Sequence, residues 1–255
     1  MTFFFAEGSQ GVQEVGHEIL THFPAALSEH RLRAAIEAVD DGASVSIAAT
    51  PAVEWSAWRA SVAAHRIGSL TIAPPWLAPG LDPATTIVID PAMAFGTGEH
   101  ATTRTVIRLM QRLDVAGSTV ADLGAGSAIL SIVAARLGAS RVIAIEQDIE
   151  AAGNAIANIA ANGADGLVHY IEGDAALLLP LIGPVDLVVA NILSPVLMDL
   201  LPLIKNSLVP GRHAILSGIL MAERSAMLEE IESGGWSVEA EDLEEEWWSV
   251  LIARP

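Results

Sequence analysis

Val120-Ala121-Asp122-Leu123-Gly124-Ala125-Gly126-Ser127 reads as a strand that ends in a glycine-rich turn, with an apolar helical pattern directly after it. Gly124 and Gly126 let the backbone turn tightly and let a ligand approach with no Cβ in the way. The following helix presents free amide groups at its N-terminus. Open α/β sheets bind ligands at the carboxyl ends of their strands, which is where this turn lies. Taken alone, the motif is equally readable as a tight strand-to-helix turn with no ligand.

Outward from the turn, strands and helices alternate. Strands are expected at Thr86–Ile89, Thr119–Leu123, Arg141–Glu146, Val168–Glu172, Val185–Asn191 and Arg212–Ser217, and helices at Thr102–Leu113, Ala128–Leu137, Ile149–Asn162, Pro195–Leu208 and Ala222–Ser233. Runs such as VDLVVANI are continuously apolar, as expected of strands covered by helices on both faces. The pattern predicts a doubly wound, Rossmann-like α/β sheet. Two strands near the end, Trp236–Ala240 and Trp248–Ala253, are separated only by a loop and predict a C-terminal antiparallel hairpin. Upstream, Glu29–Val39 reads as a helix with Ser28 as N-cap, Ser44–Ala48 as a strand, Ala52–Ala64 as a helix and Leu70–Ala73 as a strand. The Pro-rich stretch Pro74–Gly80 places a boundary between a small N-terminal α/β domain and linker, residues 1–80, and the main domain, 81–255.

The turn also discriminates between ligands. The dinucleotide fingerprint places a third glycine where Ile129 stands, which counts against NAD. Asp122, just ahead of Gly124, suits a cationic ligand better than a phosphate. The ammonium and sulfonium of S-adenosylmethionine would meet that requirement. Glu146 ends the next strand, 22 residues after Gly124, and can accept hydrogen bonds from both ribose hydroxyls of an adenosine. Asp174 follows the strand after that, either as a plain turn residue or within reach of an adenine amino group. Asn191, in ANILSP, either caps the helix beginning near Pro195 or offers its carbonyl oxygen to an amine beside the sulfonium methyl. The segment Asp90–Arg104 is rich in Gly and Thr. Phe95 is expected to cover a ligand, Gly96 and Gly98 on either side of Thr97 allow an unusual loop, and Thr103 offers a hydroxyl at a helix start. His100 has no cysteine and no second histidine at ligand spacing beside it, so no metal is expected. A structural or substrate-shaping role suits it better.

Composition sets outer limits. The chain has 255 residues, 52% of them hydrophobic, enough for a substantial core. No apolar run reaches about 18 residues, so no membrane span is expected. Met1–Gly8 carries three Phe but no Lys or Arg and does not read as a signal peptide. Cysteine is absent, which excludes disulfides and thiolate metal sites. The net charge of −18 disfavours direct nucleic-acid binding and suits a basic protein partner. The same charge is also read as a simple device for solubility or as a mark of habitat.

The segments DPAMAFGTGEHATTRT, VADLGAGSAILSIVAARLGASRVIAIEQD, DLVVANILSP and LSGIL occur in that order. Together they resemble the bacterial methyltransferases of the large-subunit ribosomal protein L-eleven (PrmA-type). The resemblance covers most of residues 86–255 and extends weakly upstream. It implies a class I methyltransferase sheet and S-adenosylmethionine as methyl donor. It implies lysine side chains and an N-terminal amine of a basic ribosomal protein as acceptors. It also implies cofactor contacts at Thr103, Gly124, Glu146 and Asn191, with Phe95 and Gly96–Gly98 beside them, a substrate-recognising N-terminal domain, and a cytoplasmic, monomeric enzyme. Glu146 stands where the family usually has Asp, and Ala128 where a third glycine is common. The family's small domain opens with a strand and a helix before a segment like GSQGVQEVG, which here begins at Gly8, so that opening pair is expected to be missing. Rival expectations are another basic-protein or small-amine acceptor, or a catalytically silent cofactor-binding protein.

Overall fold

The segments 119–123, 141–146, 168–172 and 185–191 form four neighbouring parallel strands, with the bounds expected from the sequence. The computed structural model describes residues 11–15, 18–23, 28–39, 42–47, 62–91, 96 and 98–255. The chain divides into two compact units, 1–61 and 62–255. The Pro-rich stretch 74–80, where the sequence reading sets the domain boundary, lies inside the second unit, between two strands that pair with each other.

In the first unit, β1 (Gly11–Val15) and β2 (Glu18–His22) pair antiparallel, and α1 spans Glu29–Val39. Ser28 accepts the Leu32 N–H on its backbone carbonyl, at the predicted start of α1. Residues 44–47 form no strand, and residue 48 lies outside the described residues. The Val45 carbonyl takes a hydrogen bond from the Arg33 guanidinium (2.7 Å) rather than from a neighbouring strand. Of the expected helix Ala52–Ala64, residues 62–64 are not helical and the rest lie outside the described residues.

The second unit holds two sheets. β3 (His65–Ile67), β4 (Leu70–Ala73) and β5 (Thr86–Val88) form a small one, β4 and β5 running parallel. The strand expected at Thr86–Ile89 therefore stands apart from the main sheet. Its outer edge is occupied by a side chain: Asn162 accepts the Val88 N–H (2.9 Å) and donates to the Val88 carbonyl (2.7 Å), filling the places of a neighbouring strand.

The main sheet contains β6 (Thr119–Leu123), β7 (Arg141–Glu146), β8 (Val168–Glu172), β9 (Val185–Asn191), β10 (Leu208–Leu220), β11 (Ser237–Glu244) and β12 (Trp247–Ala253). Their order is β11-β12-β10-β9-β6-β7-β8. The last two form the predicted antiparallel hairpin, with β12 also antiparallel to β10. The intervening helices are α2 (Ala101–Met110), α3 (Ile129–Arg136), α4 (Ile149–Ala161), α5 (Ala175–Leu178), α6 (Ser194–Ser207) and α7 (Arg224–Ser233). One core joins α2, α3, α4 and the small sheet to one face, through residues such as Ile72, Val106, Val120 and Val142. The other joins α6 and α7 to the opposite face, through Leu123, Ile145, Leu197 and Ile231. Each fully buried Val, Leu or Ile contributes roughly 1.5–3 kcal/mol. Side chains alternate along β6, so Val120 serves the first core and Ala121 and Leu123 the second. Asp122 thereby points towards α3.

Candidate functional site

Gly124 begins the turn after β6 with φ +71°, and a Cβ there would lie 2.4 Å from Ile192 Cγ2. Both reasons favour glycine. The Gly124 and Ala125 amides donate to the Ile145 carbonyl at 2.9 and 3.1 Å, which stitches the turn to the end of β7. Glu146 completes the stitch. Its Oε2 accepts the Gly126 N–H (2.9 Å) and its Oε1 the Asp148 N–H (2.9 Å). The glycine turn and the strand-end acid are therefore one unit. Asp174 stands at the end of the next strand, where Gly173 N–H meets the Glu146 carbonyl (2.8 Å). Its carboxylate accepts the Ala176 N–H (2.8 Å) and caps α5.

Asp122 is 1% exposed and accepts a hydrogen bond from Ser131 Oγ on α3 (2.6 Å). Its Oδ1 is buried with no hydrogen-bond partner. Burial raises its pKa, the Ser131 hydrogen bonds lower it, and the Glu146 charge raises it again, leaving it at about 6 rather than 3.8. A carboxyl with a raised folded pKa holds its proton where the unfolded chain has lost it. The contribution of Asp122 to stability is therefore fullest below about pH 3.8, falls as pH rises, and levels off above about 6. The difference is on the order of 3 kcal/mol. Asp122→Asn is expected to remove this loss, raising stability above about pH 6 by up to that amount and changing it little near pH 4. Urea unfolding at the two pH values checks this. An equal effect at both would reject a buried charge as the cause.

α2 is preceded by its N-cap His100, whose Nδ1 accepts the Thr102 N–H (3.3 Å). Nδ1 also lies 2.8 Å from Thr102 Oγ1, and the ring meets Trp247 edge-on with centroids 5.0 Å apart. Thr102 Oγ1 accepts a hydrogen bond from Asn191 Nδ2 (3.1 Å) at the end of β9. Asn191 Oδ1 and Thr103 Oγ1 are both buried and have no hydrogen-bond partner. The capping reading of Asn191 fails: α6 starts at Ser194 behind Leu193, with no side-chain cap. Helix α2 is held to β11 by ion pairs. Arg104 meets Glu244 at 2.6 Å, and Arg108 meets Asp242 at 2.8 Å and Glu244 at 2.7 Å. Burial pushes the Glu244 carboxyl up, but the two guanidinium groups outweigh it and hold it below the usual range.

Gly96 lies against Ser127, whose Oγ donates to the Gly96 carbonyl (2.5 Å), so the upstream loop touches the glycine turn. Gly98 packs against Ile72. Phe95 and Thr97 lie outside the described residues. Two features escape the sequence reading. Asn158 bridges the same parts, donating to the Ser127 carbonyl (3.1 Å) and accepting the Asp90 N–H (2.9 Å). Asn154 and Asn158 on α4 and Asn162 at its C-cap recur every four residues, a signal available in the sequence. Gly218 lies under the Ile192 backbone, and only the tertiary packing shows why LSGIL needs its glycine.

Three buried polar atoms without partners, on Asp122, Thr103 and Asn191, thus accompany a glycine cradle closed by Glu146. Such a set suits a ligand that carries positive charge, hydroxyls and N–H donors. The family model described as ribosomal protein L11 methyltransferase (PrmA) matches residues 5–255. The chain belongs to the PrmA family. It is 37% identical over 204 residues to a ribosomal protein L11 methyltransferase of Symbiobacterium thermophilum, covering 78% of this chain and 65% of that protein. With the Bacillus cereus (strain Q1) protein of the same name it shares 39% over 192 residues, covering 73% and 59%. The chain spans 54–65% of the length of three curated PrmA relatives. A crystal structure of ribosomal protein L11 methylase from Lactobacillus delbrueckii superposes with TM-score 0.68 at 31% identity, over 75% of this chain and 98% of that one. A precorrin methyltransferase from Geobacter metallireducens shares the fold at TM-score 0.53 and 19% identity, over 66% of this chain and 94% of that one. Among the described residues, no helix is long and apolar enough to cross a membrane.

Proposed function

We propose that this PrmA-family chain transfers methyl groups from S-adenosylmethionine to lysine and N-terminal amines of ribosomal protein L11, the substrate named for its relatives. The observation that carries the proposal is the Asn191 carboxamide. Its oxygen is buried and without a partner at the end of β9, next to the strand that leads into the glycine turn. The cofactor supplies a methyl group on a positively charged sulfur, and that sulfur is the leaving group.

The chain's own residues do the rest. In this reading Glu146 takes the ribose hydroxyls and Asp174, just past the neighbouring strand, the adenine amino group. Asp122 and Thr103 offer an acceptor and a hydroxyl to the amino-acid portion. Gly124 and Gly126 keep the approach open, with Gly96 beside them through the Ser127 hydroxyl. Asn191 Oδ1 accepts an N–H of the incoming amine and turns the nitrogen lone pair towards the methyl carbon. Transfer would form the N–C bond as the S–C bond breaks, leaving the electron pair on sulfur and releasing the ammonium proton to water. The site's contribution is positioning and exclusion of water. Desolvation favours the neutral lysine that the reaction needs.

We further infer that the N-terminal unit recognises the ribosomal protein, that the net charge of −18 complements its basic surface, and that the reaction belongs to the cytoplasm. Mass spectrometry of ribosomal protein L11 after incubation with the chain and cofactor tests the acceptor. Addition of whole methyl increments is expected. Calorimetric titration with S-adenosylmethionine tests the cofactor separately, so binding without a mass increase would sink the acceptor alone. Asp122→Asn is expected to weaken cofactor binding by roughly tenfold, the cost of a hydrogen bond to a charged group. Unchanged affinity would remove Asp122 from the cofactor contacts.

A further inference from the structure

An asparagine side chain fits its density of contacts in either of two orientations, because oxygen and NH₂ are similar in size and only the neighbours distinguish them. At Asn191 the neighbour is Thr102 Oγ1, itself both a donor and an acceptor. Its polarity is set one step further away. The Thr102 backbone N–H lies against His100 Nδ1 (3.3 Å) and can only donate, which assigns Nδ1 as the acceptor nitrogen of the ring. A bare ring nitrogen 2.8 Å from a hydroxyl can only accept from it, so the Thr102 hydroxyl proton points to His100. Thr102 Oγ1 is then left with lone pairs, and these receive the Asn191 Nδ2–H at 3.1 Å. The chain of donation runs from Asn191 to Thr102 to His100. It leaves Asn191 Oδ1 as the free end, buried and in need of an N–H donor. Trp247 holds the His100 ring from the side.

We propose that His100 is a positioning residue for methyl transfer: acting through the Thr102 hydroxyl, it holds the Asn191 carboxamide with Oδ1 turned to the acceptor amine. This rests on the methyltransferase reading above and adds to it the device that orients the acceptor. With the relay broken, the carboxamide is free to turn its NH₂ towards the amine. That group offers no acceptor, so the lone pair of the amine is no longer directed at the methyl carbon.

Thr102→Val deletes the hydroxyl while retaining the shape and the N–H that His100 caps. It is expected to lower kcat by about 10- to 100-fold, the scale of a misplaced reacting group. The S-adenosylmethionine Kd is expected to stay within about threefold, because carboxamide orientation matters mainly to the amine. Thr102→Ser restores the hydroxyl and is expected to recover most of the rate. Nitrogen NMR of His100 supplies a readout independent of turnover. Nδ1 is expected as an unprotonated acceptor whose signal shifts in Thr102→Val and returns in Thr102→Ser. Wild-type kcat in Thr102→Val, or equal loss in Thr102→Ser, overturns the relay. If the wild-type chain methylates no offered amine, the methyltransferase reading fails instead. The relay is then judged on NMR alone, and a proton on Nδ1 overturns it.

Discussion

Asn191→Ala is expected to lower kcat for amine methylation by about 10²-fold, comparable to the removal of one preorganised hydrogen-bonding group from an active site. The substitution deletes the buried Oδ1, which has no other partner, together with the Nδ2 donor that meets Thr102 Oγ1 at 3.1 Å. Thr102 keeps its hydrogen bond to His100, so α2 retains its cap and the fold its stability. Cofactor affinity is expected to fall by at most about tenfold, the worth of one hydrogen bond. Single-turnover kinetics with saturating cofactor separate the two effects. A rate equal to that of the unmodified chain removes Asn191 from the site. A loss confined to cofactor Kd makes it a binding residue and nothing more.

Gly218→Ala is expected to cost roughly 2–4 kcal/mol of stability and about 10²-fold in kcat, although Gly218 is itself no candidate for the chemistry. Its φ is +83°, and a Cβ would fall 2.3 Å from the Ile192 carbonyl oxygen, 2.8 Å from its carbon and 3.0 Å from its nitrogen. All three are backbone atoms, so no rotamer change relieves the contact. The Ile192 N–H also donates to the Ser217 carbonyl (3.2 Å), which ties the turn after Asn191 to the strand carrying the substitution. Moving Ile192 therefore moves Asn191. Gly117→Ala is the control. Its φ is +75°, but nothing lies within 4 Å of the added Cβ, so it isolates the backbone strain. That strain alone is worth roughly 1–2 kcal/mol. Urea unfolding and kcat, measured for both variants, check the difference. Equal losses of stability with unchanged kcat in Gly218→Ala would show that the close approach to Ile192 has no bearing on the site.

The main sheet was legible because β6, β7 and β9 are mostly apolar on both faces and end just before Gly124, at Glu146 and at Asn191. β6, β7, β8 and β9 have the bounds expected of them. β10 was less legible. The Pro210-Gly211 pair reads as the end of a loop, yet the strand runs from Leu208 to Leu220. Its pairing with β9 shifts between Leu208 and His213, which accommodates the two residues without ending the strand. The strand at 86–88 was recognisable, but its sheet was not, because the partner for its edge is an asparagine side chain 74 residues away. Ala128 shows the same limit on a smaller scale. It takes a left-handed conformation, φ +65°, which glycine adopts at less cost, and nothing local announces it.

The same division runs through the site. By itself, the sequence determined the glycine turn, the acid at the end of the next strand and the asparagine at the end of a later one. Those are local features: backbone shape from Gly124 and Gly126, and strand ends from loss of apolar character. Only the tertiary structure decided what each side chain does. Asp122 points to α3 because side chains alternate along β6, and its burial there lifts its pKa to about 6. Asn191 is released from capping α6 and joined to His100 through Thr102, 89 residues earlier. Hydrogen bonds of that span depend on which strand ends the sheet order brings together, and spacing along the chain carries no record of that order.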